Sequence, residues 1–239
     1  MNQSQNSPLI QWSFRLGTLC LLGLPLAIIA TRLNIINYSV GLATSALTCL
    51  GALLIMLLGV SFWLLPKFQN QRRKSIHIVL VTLVPVLIAA NTLIGSIEKP
   101  AIHDISTDIH NPPKFVLALK ERGTESNSLQ RDEKVDQLQK QAYPLLSSIN
   151  TALTPAQAFE KSLLIANDLG WNIYSENLEA GFIEAVDTTL IYGFKDDIVI
   201  RIQTGLGTTL VDLRSVSRVG VGDLGANAAR IEAFIEAFN

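Results

Sequence analysis

The stretch Ile198–Arg218, IVIRIQTGLGTTLVDLRSVSR, decides the fold of the second half of the chain. Apolar and polar residues alternate along Ile198–Gln203 and again along Thr208–Val219, which is the pattern of strands with one buried face. Thr204–Gly207 lies between them and contains two glycines, which favour a tight turn. The stretch therefore predicts two antiparallel strands joined as a hairpin.

Helix signals flank this hairpin. A helix should begin after Thr154, because Thr154 can cap it, Pro155 suits its first position and Gln157 completes a capping box. Gly170 should end this helix, since glycine is the usual residue just past a helix C-terminus. Two further helices are expected at Glu133–Ala142 and at about 224–238, the latter with Asp223 as its cap.

Further β-type runs lie between the helices, with a turn expected at 195–197. These runs are Trp171–Ser175, Gly181–Asp187 and Thr189–Phe194. A strand meander between two helices predicts the fold class α+β, in which an antiparallel β-sheet domain is covered by helices on one face.

The first 97 residues differ sharply in composition from the rest. They contain six basic residues and no acidic ones, whereas the remaining 142 contain 13 basic and all 20 acidic residues. The near-neutral total of −1 is therefore the sum of a +6 region and a −7 region. Such a division excludes a simple soluble globule, a basic nucleic-acid binder and an acidic disordered chain.

Three long apolar segments occupy the basic region, at about 14–30, 40–65 and 76–97. Spanning the hydrocarbon core takes about 20 helical residues, so we expect a transmembrane region at 1–97 and a separate domain at 98–239. The first segment is short and contains Pro25, and a cleaved signal peptide is its alternative. It lacks a small-x-small cleavage site, which favours an anchor. Gly41 and Ser45 form a small-x-x-x-small pair that could let two helices approach closely.

The distribution of Lys and Arg predicts the orientation of the protein. Loop Pro66–Ser75 contains four basic residues and loop Thr31–Ser39 contains only Arg32. The positive-inside rule places the first of these loops in the cytoplasm. The N-terminus should then be cytoplasmic and the domain after residue 97 extracytoplasmic.

A candidate anion site follows from the strand pattern. On the second strand, Ser215 and Ser217 should share one face with the apolar residues, and Arg214 and Arg218 should share the other. Arg201 belongs to the same polar face if the strands pair. Guanidinium groups match carboxylate or phosphate, but a solvated face with cross-strand ion pairs is the alternative. The candidate ligand-binding residues are Arg201, Arg214, Ser215, Ser217, Arg218, Asp223, Asn227 and Arg230.

Gly220–Gly225, GVGDLG, matches the spacing of a dinucleotide fingerprint. A helix that ends the chain leaves no following parallel strand for a βαβ unit, so a tight strand-to-helix turn is the favoured interpretation. Amides at the start of that helix could still hold an anion beside Arg218.

Metal binding and catalysis have weaker signals. His103, Asp104 and Asp108 are suitable ligand types within one extended segment, but Asp near proline usually makes turns and caps. The domain has no cysteine nucleophile and no G-x-S-x-G elbow. Basic patches interleaved with aromatic residues are absent too. We expect no cofactor and no nucleic-acid partner.

Several blocks of the domain resemble the domain-of-unknown-function 1499 family. Ile102–Asp108, IHDISTD, followed by Pro112-Pro113-x-Phe115, resembles its opening motif. Later blocks are Tyr143-Pro144, Gly170-Trp171, Asp196–Arg201, Val211–Gly220 and Asp223–Ile231, so the resemblance covers about 98–238. It implies a domain that is commonly membrane-attached or exported, and it implies no activity.

Three hypotheses about function follow. The first is a non-enzymatic, extracytoplasmic domain of an integral membrane protein that binds a ligand or partner, such as an anionic envelope component. The second is a structural or assembly membrane protein. The third is a metal-dependent hydrolase. The expected partners are the lipid bilayer and an anionic ligand or an envelope protein.

Overall fold

The computed structural model describes residues 7–131 and 133–239. The chain divides into two compact units, one ending at Gly95 and the other covering Ser96–Asn239.

The first unit consists of three long helices. Their bounds are α1 Pro8–Arg32, α2 Tyr38–Leu64 and α3 Arg72–Glu98, with a 3-10 segment at Pro66–Gln71 before α3. All three are long and apolar enough to cross a membrane, which indicates a lipid bilayer environment. Helices α1 and α3 extend beyond the apolar segments predicted for them at both ends, and α2 begins earlier than its predicted segment. The helices continue into flanking polar residues, because each residue added to an existing helix gains a backbone hydrogen bond.

Small and hydroxylated residues let the helices of this unit pack closely. Gly41 of α2 is buried against Thr31 of α1, and a Cβ at Gly41 would overlap the Thr31 Oγ1 atom. Ser45 is buried on the same side of α2 and donates a hydrogen bond to the Gly41 carbonyl, at 2.9 Å. The predicted small-residue pair therefore serves helix packing within one chain.

The second unit is built on a six-stranded antiparallel sheet. The strands are β1 Asp104–Ser106, β2 Ile149–Thr151, β3 Asn172–Asn177, β4 Phe182–Thr188, β5 Lys195–Thr204 and β6 Thr209–Ser217. Their order is β1-β6-β5-β4-β3, and β2 pairs with the other half of the β6 edge. The predicted hairpin is β5–β6, in which Ile200 lies opposite Leu213.

Two local predictions in this sheet are wrong. Thr189–Phe194 is the turn between β4 and β5 and not a strand, and 195–197 begins β5 instead of forming a turn. The aromatic and β-branched residues of LIYGF resemble a strand, but the ladder ends at the pair Thr188–Lys195. The three-residue strands β1 and β2 were too short to give a periodic signal.

Helices cover one face of the sheet, which confirms the α+β class. The helices of this unit are α4 Ala118–Glu121, α5 Glu133–Ala142, α6 Pro155–Asp168 and α7 Ala226–Phe238. Of these, α6 and α7 are the helices that pack on this face. The predicted capping box at Thr154 and Gln157 is present. Phe234 of α7 stacks on Trp171 at 5.7 Å between ring centroids, and both are buried.

The opposite face of the sheet is also covered, by the irregular segment 107–131. Its Val116 and Leu117 amides donate to the carboxylate of Glu184 on β4, and its carbonyls accept from sheet arginines. Glu184 and Asp197 are fully buried beneath it. The prediction of a solvated polar face is therefore wrong, because a long connector lies over it.

Candidate functional site

The predicted ligand residues lie on two opposite faces of the sheet. Alternation along β6 directs Arg214 toward segment 107–131 and Ser215 toward α7. The first group, the arginine face, consists of Arg201, Arg214 and Arg218. The second, the α7 cluster, consists of Ser215, Ser217, Asn227 and Arg230. The sheet separates these seven residues into two groups, and the eighth candidate, Asp223, lies in the loop before α7. The eight residues therefore do not form one site.

Arg214 is at the centre of the arginine face. Its Nε and Nη2 donate to the two carboxylate oxygens of Asp104, at 3.0 and 2.8 Å. The same guanidinium donates to the carbonyls of Pro113 and Leu129, at 3.3 and 2.7 Å. Arg131 donates to Asp104 as well, at 2.9 Å. These contacts direct the Arg214 guanidinium toward partners within the domain.

Asp197 is shared by two further arginines. Arg122 donates to its Oδ2 at 2.6 Å, and Arg218 donates to both of its oxygens at 3.0 and 2.7 Å. Burial lowers the pKa of Arg122, opposed by Asp197 and reinforced by Arg218. One carboxylate thus stabilises two adjacent guanidinium groups in the interior.

Tyr174 of β3 lies beside this group, and its buried hydroxyl has no hydrogen-bond partner among the described residues. Its pKa is raised, chiefly by burial and further by Asp197 and Glu184. The phenol therefore stays neutral.

Arg201 completes the arginine face at its more open side. Its Nη2 donates to Asp108 and Asp212 at 3.0 and 2.8 Å, and its Nη1 donates to the Asn111 carbonyl. Its buried Nε atom has no hydrogen-bond partner in the part of the chain that is described. A new anion at Arg214 or Arg218 would have to displace the carboxylates that already bind these arginines.

The α7 cluster is a second buried polar group. Ser215 donates to Asn227 Oδ1 at 2.6 Å, and Asn227 Nδ2 donates to the Ser217 hydroxyl at 2.9 Å. Arg230 donates to Asp196 at 2.7 Å and to Asp187 at 2.7 and 2.9 Å. These contacts fix the first half of α7 to β4, β5 and β6.

Asp196 is the most perturbed acid of this cluster. Burial raises the pKa of Asp196, although Arg230 and the Ser217 hydroxyl lower it in part. Ser215 and Ser217 are held by amide, guanidinium and carboxylate groups, so the arrangement supports helix docking.

The glycine-rich loop forms the predicted tight strand-to-helix turn. Gly220 and Gly225 have φ values of 91° and 85°, which glycine adopts without strain. The carboxylate of Asp223 accepts hydrogen bonds from the Gly225 and Asn227 amides, at 2.8 and 2.7 Å. The helix begins at Ala226 with Gly225 as its N-cap, so the prediction of Asp223 as the cap residue is wrong. The Asp223 carboxylate nevertheless occupies the position that an anion would take at this helix start.

The candidate metal ligands have other partners. His103 Nδ1 lies 3.3 Å from the Val221 carbonyl oxygen, Asp104 binds arginines, and Asp108 accepts from the His110 and Asn111 amides. Within residues 7–131 and 133–239, no group of three or more His, Cys, Asp or Glu side chains could hold a metal ion.

One end of the sheet has a solvent-exposed apolar surface. The β1 strand begins there at Asp104, opposite Val216, so the connector from α3 enters the unit at this end. The β4–β5 turn and the loop after β6 lie at the same end, because Thr188 pairs with Lys195 and Asp196 pairs with Ser217. Four side chains there are exposed by 86%, 60%, 78% and 51%: Leu190, Ile191, Val221 and Leu224.

We call these four residues the tether-end surface. They are not among the sequence candidates, because the sequence predicts a strand over Leu190 and Ile191 and a glycine-rich turn around Val221 and Leu224. Leu190 and Ile191 lie outside the β4–β5 ladder, which ends at the pair Thr188–Lys195. An apolar pair within a turn is the signal that identifies them. Leu178 and Leu206 are exposed at the opposite end of the sheet, in the β3–β4 and β5–β6 turns.

Comparison with known proteins identifies a family. The model of the family described as "Protein of unknown function (DUF1499)" matches residues 104–238. No curated protein matches the chain. The match covers both the arginine face and the α7 cluster, and more than half of the chain, so this protein belongs to the DUF1499 family.

Proposed function

We propose that this is an integral membrane protein whose extracytoplasmic domain is a non-enzymatic binding module that lies on the lipid surface. The tether-end surface is the observation that carries the proposal. Exposed Leu, Ile and Val side chains are costly in water and favourable at the membrane interface.

A short connector keeps this surface close to the membrane. Only five residues, 99–103, separate the end of α3 at Glu98 from the start of β1 at Asp104. Fully extended, they span at most about 18 Å. In this proposal, the connector limits how far Asp104, the first residue of β1, can lie from Glu98.

Inserting the tether-end side chains into the membrane interface should release only a modest free energy. The covalent connector makes this weak contact form more readily. Full burial of one Leu, Ile or Val side chain is worth roughly 1.5–3 kcal/mol, and the interface buries it only in part. Covalent attachment converts the contact into an intramolecular one with a high effective concentration.

The arginine face has a structural role in this proposal. Binding an anion at Arg214 or Arg218 would separate a guanidinium from a buried carboxylate. Breaking such a pair costs about 3–5 kcal/mol. Lipid contact at the tether-end surface requires no such rearrangement.

Labelling tests the proposal. Cys20 and Cys49 are replaced by Ala, and a single cysteine is placed at Ile191, Val221 or Leu206 in the full chain. Each variant receives an environment-sensitive fluorophore and is reconstituted into nanodiscs that contain nitroxide-labelled lipid. We expect strong quenching at 191 and 221 and little at 206, which is the matched exposed site at the far end of the sheet. Equal quenching at all three positions, or none, would contradict the proposal.

A further inference from the structure

A cavity of about 300 Å³ opens in the helical unit. It lies between the N-terminal parts of α1 and α3, and both helices begin next to it. Its lining residues are Ile10, Gln11, Phe14 and Arg15 from α1 and Lys74 and His77 from α3. The size is at the lower end of the range for small-molecule sites, roughly 300–1,000 Å³.

The lining has two chemically different parts. Ile10 and Phe14 form an apolar wall, and Gln11 with the three basic side chains forms a polar one. The N-terminus of α1 adds positive potential from its helix dipole. The Ser7 amide donates to Gln71 Oε1 at 3.2 Å, which holds the starts of α1 and α3 together.

The charge composition of this unit indicates what the cavity binds. Residues 1–97 contain no carboxylate side chain, whereas each sheet arginine described above has an aspartate within its own domain. No Asp or Glu side chain of residues 1–97 therefore neutralises the basic side chains at the cavity. In a membrane-spanning helix bundle, lipid phosphates are the nearest abundant anions.

We propose that this cavity is a site for an anionic phospholipid. The headgroup phosphate lies against Arg15, Lys74 and His77, and Gln11 donates to its ester oxygens. The first acyl-chain carbons lie along Ile10 and Phe14. This site is independent of the lipid contact at the tether-end surface, because it lies in the other unit of the chain. The predicted orientation puts it in the cytoplasmic leaflet, whose surface is anionic.

Lipid retention by the full chain tests this proposal. The protein is purified in mild detergent and titrated with phosphatidylglycerol or phosphatidylcholine, and the bound lipid is counted by native mass spectrometry. Arg15→Gln with Lys74→Gln should lower phosphatidylglycerol retention by about tenfold or more. Lys67→Gln with Arg73→Gln is the matched control, since it also removes one Lys and one Arg but leaves the cavity lining intact; it should lower retention by about twofold at most.

A second variant covers the case in which the double variant folds poorly. Gln11→Glu retains every cation and places a negative charge in the lining, so it should also weaken phosphatidylglycerol retention selectively. Equal losses in the lining and control variants would overturn the site in favour of diffuse attraction to basic residues. Equal retention of phosphatidylcholine, or no loss in any lining variant, would overturn it as well. Full displacement of phosphatidylglycerol by inorganic phosphate would assign the site to soluble phosphate instead of lipid.

Discussion

Replacing Arg214 by Ala should destabilise the domain more than any change of a surface cation. Arg214 donates two hydrogen bonds to Asp104 and one each to the Pro113 and Leu129 carbonyls. The side chains of Arg214 and Asp104 are only 6% and 4% exposed. The variant would leave a buried carboxylate that retains Arg131 alone, together with two carbonyls without their donor.

The magnitude follows from these contacts. Separating a buried ion pair costs about 3–5 kcal/mol, and each unsatisfied carbonyl adds roughly 1–3 kcal/mol when water cannot reach it. The terms are not additive, and Arg131 offsets part of the first, so we expect a loss of about 4 kcal/mol in the free energy of unfolding. With a urea m-value of roughly 2 kcal/mol/M, the midpoint falls by about 2 M.

Trp171 provides the measurement. It is buried in the core of the domain, and Trp12→Phe with Trp63→Phe makes it the only tryptophan of the full chain. Urea unfolding is followed by its fluorescence in detergent. Lys195→Ala is the control, because it removes an exposed cation from neighbouring strand β5 and should cost under about 0.5 kcal/mol. Equal midpoints for the two variants would refute the buried ion pair.

The remaining predictions concern pH and helix packing. Because burial raises the pKa of Asp196, this group favours folding below its ordinary value near 3.8 and loses that contribution as pH rises through the raised value. Wild type should therefore lose stability relative to Asp196→Asn as pH rises above about 4; the same difference in urea midpoint at acidic and at neutral pH would count against this. Gly41→Ala should destabilise the helical unit by roughly 1–3 kcal/mol, because the new Cβ overlaps Thr31. Gly95→Ala, with open space at its Cβ, should stabilise it by about 0.5–1 kcal/mol; denaturant titration in detergent compares them, and equal effects would contradict the packing.

Periodic segments were predictable from sequence, and the covering segment was not. The β5–β6 hairpin, α6 with its capping box and the three apolar helices each repeat a local signal over many residues. Segment 107–131 contains one four-residue helix and no strand, so its sequence has no helical or strand periodicity in its apolar residues. Its position depends on contacts between residues about 70–100 apart in sequence, such as Arg214 with Pro113. Sequence therefore located the arginines on one sheet face but could not reveal that this face is buried.

The same contacts explain why the buried side chains are arginines. A covering segment with little regular structure leaves its carbonyls without backbone donors, and a buried carbonyl needs a partner. Guanidinium groups supply these donors: the carbonyls of Asn111, Pro113, Glu121, Asn127 and Leu129 each accept from an arginine that also binds a carboxylate.

Each such arginine thus links a carbonyl of segment 107–131 to a carboxylate and helps to hold the segment on the sheet. The planar five-donor fork makes this possible, whereas lysine has one compact head with three donors. Arg214→Lys should therefore keep the charge but recover less than half of the stability lost in Arg214→Ala. Full recovery in the urea assay would show that charge alone holds the segment, and would remove the role assigned here to the carbonyl contacts.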